Sequence, residues 1–292
     1  MCRKRPVGRW VLPLLVCAAL AGCGSGPAAE QGEPSIGTPT AVDLATLALP
    51  IDAYRPDPQQ DLKIRQAQAV LFARCMAERG FPVDDPLPSE VDDERNRDRY
   101  MLGDPKAAST YGYHPTETPD TRPAAPVSAR SAEFLNAASG KGQSTVNGKP
   151  VPKGGCAGEA ARQLNGGGEP DGGKVVSEIR AWSWSRSQQD GRVVATFAAW
   201  SRCMGAQGYR YRTPQDANDD PAWSSAEVTP REIATAVADV RCKQEAKVID
   251  TWAAVEAAYQ NRAIDERVER LRAVKTELET RVRTATEVLA RA

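Results

Sequence analysis

The sequence predicts an all-α fold: a duplicated helical module with two disulfides and a long C-terminal helix of coiled-coil character, plus disordered segments. Three observations carry this prediction. Two short cysteine motifs recur in the same order, apolar residues return at helical spacing, and neither Gly nor Pro follows Pro230 before the end of the chain at Ala292.

The leader comes first in the chain. Arg3, Lys4, Arg5 and Arg9 form a basic start, Trp10 to Leu20 is apolar, and Leu20-Ala21-Gly22-Cys23 follows. Small residues before a cleavage point are what a signal peptidase accepts. A cysteine directly after them predicts a lipoprotein signal, with cleavage before Cys23 and acylation of its thiol. The apolar run falls well short of the roughly 20 residues that span a bilayer, and the basic cluster stays on the cytoplasmic side. Residues 1–22 are therefore expected to leave as a signal peptide, and Cys23 to anchor the chain to the outer face of a cell membrane. Residues 23–48, rich in Gly, Pro, Ser, Thr and Ala, are expected to be a flexible tether of about 25–30 Å mean reach.

Without the leader, 34 basic residues stand against 38 acidic ones. That balance lacks the excess of positive charge that nucleic-acid binders usually show, so no nucleic-acid partner is expected.

Four cysteines remain beyond Cys23. Arg74-Cys75-Met76 with Gly80-Phe81 matches Arg202-Cys203-Met204 with Gly208-Tyr209, as R-C-M-x-x-x-G-aromatic. Cys156 with Glu159-Ala160 matches Cys242 with Glu245-Ala246, as C-x-x-E-A. An even number of cysteines in an oxidising compartment points to two disulfides. Each half owns one cysteine of each kind, which favours Cys75–Cys156 and Cys203–Cys242. The swapped pairing, Cys75–Cys242 with Cys156–Cys203, also respects the repeat. Zinc ligation lacks a C-x-x-C pair, and His114 is the one histidine; no metal and no cofactor is expected.

The body is expected to span 49–292 as two related halves, about 49–189 and 190–292. Leu62, Ala69, Leu71, Phe72, Cys75 and Met76 mark one helix from Gln59 to Arg79, closed by Gly80. Val193, Val194, Phe197, Trp200 and Met204 mark its second copy, from about Gly191 to Gln207 and closed by Gly208. Between Cys75 and Cys156 lie 80 residues, and between Cys203 and Cys242 only 38. The excess falls in 103–155, dense in small and turn-forming residues and expected to be largely disordered. A further helix is expected from about Lys174 to Ser187.

The last region begins with Thr229 as a cap, Pro230 at the first helical position and Glu232 completing a capping box. Its apolar stripe runs Ile233, Val237, Val240, Val248, Trp252, Val255 and Tyr259. It then shifts phase into heptads: Ile264, Val268, Leu271, Lys275, Leu278, Val282, Ala285 and Leu289. One bent helix, or two with a break near Asn261, would produce the shift. The narrow late stripe requires a partner helix, in this chain or another.

Signals of chemistry are sparse, and no catalytic residue is expected. His114, in Tyr111-Gly112-Tyr113-His114-Pro115, falls in the segment expected to be least rigid. Asp216, Asn218, Asp220 and Glu227 imitate a calcium loop, but Pro221 stands where such a loop needs Gly; an acidic turn is expected. Asp84-Asp85 and Asp92-Asp93-Glu94 are expected to be solvated. Trp182, Trp184, Trp200 and Trp252 have helical spacing and are expected in the core.

The repeated motifs, with Leu49-Pro50-Ile51-Asp52-Ala53-Tyr54 and Tyr111-Gly112-Tyr113-His114, resemble a group of actinobacterial secreted lipoproteins of unknown function. The resemblance covers most of the chain beyond the leader and implies no activity. Two functional expectations follow. One is a non-enzymatic interaction or accessory protein of the cell envelope, docking on an envelope protein or on itself through the C-terminal helix. The alternative is a lipoprotein that binds a solute or glycan, or a hydrolase whose acid pair is distant in sequence.

Overall fold

A computed structural model describes residues 32–84, 87–89, 91, 95–115, 131–169 and 173–292. The leader and Cys23 lie outside them. A 3-10 turn at Pro50–Tyr54 precedes α1 (Pro58–Glu78). The Asp57 carboxylate accepts from the Gln60 amide at 2.8 Å, and the Gln60 side chain accepts in return from the Asp57 amide, so α1 starts on a capping box with Pro58 in its first turn. Next come α2 (Pro105–Tyr111), α3 (Ala132–Ser139), a small antiparallel pair of strands, β1 (Thr145–Val146) and β2 (Lys149–Pro150), and α4 (Gly155–Leu164). The chain continues through α5 (Lys174–Ser187), α6 (Gly191–Ala206), α7 (Pro214–Asn218), α8 (Pro230–Glu245), α9 (Val248–Asp265) and α10 (Val268–Leu289).

The duplication is visible in the backbone. At the end of α1, Gly80 has φ +84° and the Phe81 amide donates to Met76 O at 3.0 Å. At the end of α6, Gly208 has φ +91° and the Tyr209 amide donates to Met204 O at 3.0 Å. Both are the same left-handed stop, which an L side chain would strain. Disulfides join α1 to α4 through Cys75–Cys156 and α6 to α8 through Cys203–Cys242, with Cα atoms 5.5 and 5.6 Å apart. The favoured pairing is the one present, and the swapped one is not.

Packing follows the bridges. Ile64, Ala67 and Leu71 of α1 meet Ala160 and Leu164 of α4 and Ala285 of α10. Trp200 and Met204 of α6 pack with Trp252, Val255 and Tyr259 of α9 and with Tyr100. Between these cores, Ile51, Val176, Ile179, Ala263 and Leu271 join the 3-10 turn to α5, α9 and α10. Each fully buried Val, Leu, Ile or Met side chain among them contributes about 1.5–3 kcal/mol.

Four boundaries differ from the sequence expectations. The compact unit starts at Pro34, not at residue 49. Ile36, Val42, Leu44 and Leu47 pack on the large aromatic core, and the Val42 amide donates to Asp250. The segment has no periodicity because it is neither helix nor strand, yet its scattered apolar side chains find a surface. Within 103–155, α2, α3 and the strand pair are ordered, while 116–130 lies outside the described residues. Their buried contacts are largely small, such as Ala107, Ala108 and Ala137, so composition understates them.

The C-terminal region is three helices. The chain turns at Lys247, a left-handed non-Gly residue (φ +53°), and again at Glu266–Arg267, whereas Asn261 lies inside α9. The two sequence halves also interleave in space. α5 packs on α9, α2 on α8, and α10 returns to α1 and α4. The late heptad stripe thus finds its partner helices in the same chain: Leu271, Val274 and Ala285 are buried, and Leu278, Val282 and Leu289 pack against α1 and α4. No helix among the described residues is long and apolar enough to cross a membrane.

Candidate functional site

Buried charge is concentrated on α8. Glu232, Asp239 and Lys243 sit seven and four residues apart, on one side of a 3.6-residue helix, and all three are buried. The expected apolar stripe of this helix is rotated: Val237 is 43% exposed, while Glu232, Ala236, Asp239 and Lys243 face inward. They face α2 and the segments flanking it. The Lys243 ammonium donates to Asp239 Oδ2 at 2.9 Å and to Leu102 O at 2.7 Å. The Tyr113 hydroxyl donates to Asp239 Oδ2 and Trp200 Nε1 to Asp239 Oδ1, at 3.2 and 2.9 Å. Burial raises the Asp239 carboxyl above its ordinary pKa, against the opposing pull of Lys243. The Tyr113 hydroxyl is raised too, by burial and then by the Asp239 charge.

Glu232 holds the same segment at a second point. Its Oε1 accepts from the Tyr113 amide at 2.9 Å and lies 2.8 Å from His114 Nδ1; its Oε2 has no hydrogen-bond partner among the described residues. Thr229 caps α8 as expected, accepting from the Glu232 amide, but the Glu232 side chain serves Tyr113 and His114 instead of closing a capping box. Gly112 (φ +62°) lies against that carboxylate, and a Cβ there would come within 2.6 Å of Oε1.

His114 Nε2 faces Ser225 O at 2.7 Å, so both ring nitrogens face oxygen acceptors. That arrangement suits the doubly protonated ring, whose pKa is raised by the hydrogen bond to Glu232 and then by the Ser225 carbonyl. A general base needs a nitrogen lone pair facing its substrate; here both nitrogens are occupied, and His114 acts as a clasp. Because the folded value is raised, the stabilisation is fully present below the ordinary His value of 6.5 and is lost as pH rises through the folded value. The stability deficit of His114→Gln, measured by urea denaturation, is therefore expected to be largest below about pH 6.5 and to fade above it. A deficit that grows with pH would contradict the ion pair.

On the far side of the segment, Glu256 of α9 is fully buried. It accepts from Arg99, from the Tyr100 hydroxyl at 2.9 Å, and from Ser183 and Gln260 at 3.0 Å each. Residues 99–115 are thus pinned to both α8 and α9 by charged groups. Above them opens a cleft of about 620 Å³, lined among others by Leu44, Met101, Lys106, Tyr111, His114 and Asn218. Met101 on its wall has φ +64°, a conformation that costs a non-Gly residue about 1–3 kcal/mol and persists only where its surroundings enforce it.

The other residues singled out in the sequence lie elsewhere. Asp216 accepts from the Thr213 amide and Asp220 from the Tyr211 hydroxyl and the Ala222 amide, so the calcium-like run is a set of caps. Among the described residues no three His, Cys, Asp or Glu side chains are grouped to hold a metal ion. Trp200 and Trp252 are buried, Trp184 stacks on Trp252 with centroids 4.6 Å apart, and Trp182 is 41% exposed. Asp85 and Asp92-Asp93-Glu94 lie outside the described residues.

Comparison of the chain with protein-family models, with characterised proteins and with solved structures finds no match. The resemblance to secreted lipoproteins therefore rests on its sequence motifs alone.

Proposed function

We propose that this chain is a lipoprotein, held on the outer face of a cell membrane through Cys23, that acts by binding a component of the cell envelope in the cleft over residues 99–115. The observation that carries this reading is the concentration of buried charge beneath that one cleft. A buried ion pair contributes little net stability compared with apolar packing of the same volume. Glu232, Asp239, Lys243 and Glu256 nevertheless all grip the same short segment, and a left-handed Met101 lies on the cleft wall. Such an arrangement fixes geometry, which a binding surface requires. His114, with both nitrogens occupied, supports binding over hydrolysis. The apolar face of α10, the docking surface suggested by the sequence, is covered by α1 and α4.

Two measurements test the reading. Mass spectrometry of the protein from its own envelope is expected to find an acylated Cys23 as the first residue; an intact Met1 would end the lipoprotein assignment. A photo-crosslinking residue at Lys106, on the cleft, is expected to capture an envelope component that the same residue at Thr276, on the exposed side of α10, does not. Equal capture from both positions, or none from Lys106, would remove the cleft from the account.

A further inference from the structure

A second cleft, of about 270 Å³, opens where the 3-10 turn meets α5 and α10. Three guanidinium groups line it, Arg55, Arg180 and Arg281, and Glu277 is the one acid among the described lining residues. The nearby Asp52 cannot balance them. Its Oδ1 accepts from Arg55 at 2.9 Å and from Arg180 at 3.2 Å, and its Oδ2 from the Leu49 amide at 2.9 Å and from Asn96 at 2.6 Å. A carboxylate has about four lone-pair sites, so Asp52 is saturated while two guanidinium groups share its single charge.

The rest of the cleft adds positive potential. Arg180 is largely buried, and burial, then Arg99 and Arg55, hold its pKa below the ordinary arginine value. Arg281 on α10 makes no ion pair or hydrogen bond among the described residues. Lys275 lies over the Tyr54 ring, 4.9 Å from its centroid, beside the same turn. The first turn of α5 forms part of the wall through Gly173, Val176 and Ser177; it carries no acid, and its N-cap Gly173 supplies no side-chain acceptor to the first amides. Amides at a helix start add to the attraction of an anion that the arginines already provide.

We propose that this cleft binds a phosphate-type oxyanion, held by Arg55, Arg180 and Arg281. Planar guanidinium groups match the paired oxygens of phosphate, and the cleft has room for one small anion or headgroup. The source is either the headgroup of an anionic lipid or a soluble phosphate.

Residues 34–292 form one compact unit that contains both disulfides. The test is calorimetric titration of this unit with inorganic phosphate at low salt, alongside flotation with vesicles of phosphatidylglycerol or of phosphatidylcholine alone. Binding is expected to weaken about tenfold in Arg281→Gln. It should be unchanged in Lys153→Gln, which removes the same charge from an exposed position on another part of the surface. An unchanged melting temperature for Arg281→Gln shows that the loss is not unfolding. Arg281-dependent flotation with phosphatidylglycerol assigns a lipid headgroup; phosphate binding without flotation assigns a soluble anion. The proposal fails if neither probe binds, if Arg281→Gln keeps the parent affinity, or if Lys153→Gln weakens binding as much.

Discussion

Replacing Asp239 by Ala is expected to lower the free energy of unfolding by about 3–5 kcal/mol, measured by urea denaturation near neutral pH. The loss has two parts. Lys243 would stay fully buried with only Leu102 O as a partner, and an uncompensated buried ammonium is among the most costly groups a fold can hold. The Trp200 indole and the Tyr113 hydroxyl would lose their acceptor at the same time. Changing both charged partners, Asp239→Leu with Lys243→Met, is expected to recover much of that loss, because apolar side chains of similar volume can replace a buried pair at little cost. Recovery of stability would not restore the anchors of the cleft. Hydrogen exchange at 102–113 should remain faster in the double variant than in the parent, which separates the stabilising role of the pair from its positioning role. A loss below about 1 kcal/mol in Asp239→Ala would mean that solvent reaches Lys243.

Much of the fold is legible in the sequence because the signals are local. Pro58 and Pro230 each stand in the first turn of a helix, after Asp57 and Thr229 as caps, and Gly80 and Gly208 mark two helix ends by conformation alone, whereas the helix opened by Thr213 and Pro214 falls where the sequence suggests an acidic turn. The disulfide pairing is legible because a duplicated module tends to repeat its internal bridges.

The cleft is not legible, for three physical reasons. Glu232 has the spacing of a capping-box residue, and nothing local says that its carboxylate will turn to Tyr113 and His114, more than a hundred positions earlier. Asp239, Lys243 and Glu256 look like solvated charges among apolar neighbours until tertiary contacts bury them. The break at Lys247 uses a left-handed conformation without Gly or Asn, so the chain carries no marker there. One signal was available: Glu232, Ala236, Asp239 and Lys243 share a helical face, and Glu256 lies in phase with Trp252 and Tyr259. Charges in register with a buried stripe are the mark of a polar network inside a core.

Removing the bridge between α1 and α4, with Cys75→Ser and Cys156→Ser together, is expected to cost about 4–5 kcal/mol, and removing Cys203–Cys242 about 4. The separations of 81 and 39 residues order the two, since loop-closure entropy grows only with the logarithm of the loop. Native surroundings should widen the gap. Cys203–Cys242 lies beside the cluster built on Trp200, Trp252 and Tyr259, which can hold α6 and α8 together after the bond is lost. Cys75–Cys156 lies in a smaller cluster with Met76, Ala137 and Val146, and the short α3 and the strand pair depend on that cluster. Thermal melting of the two double variants is therefore expected to show the larger drop for Cys75/Cys156, with loss of hydrogen-exchange protection in 131–156 before the rest of the chain. The opposite order would mean that α1 and α4 are held chiefly by α10, and that the apolar packing of Leu71, Leu164 and Ala285 outweighs the covalent link.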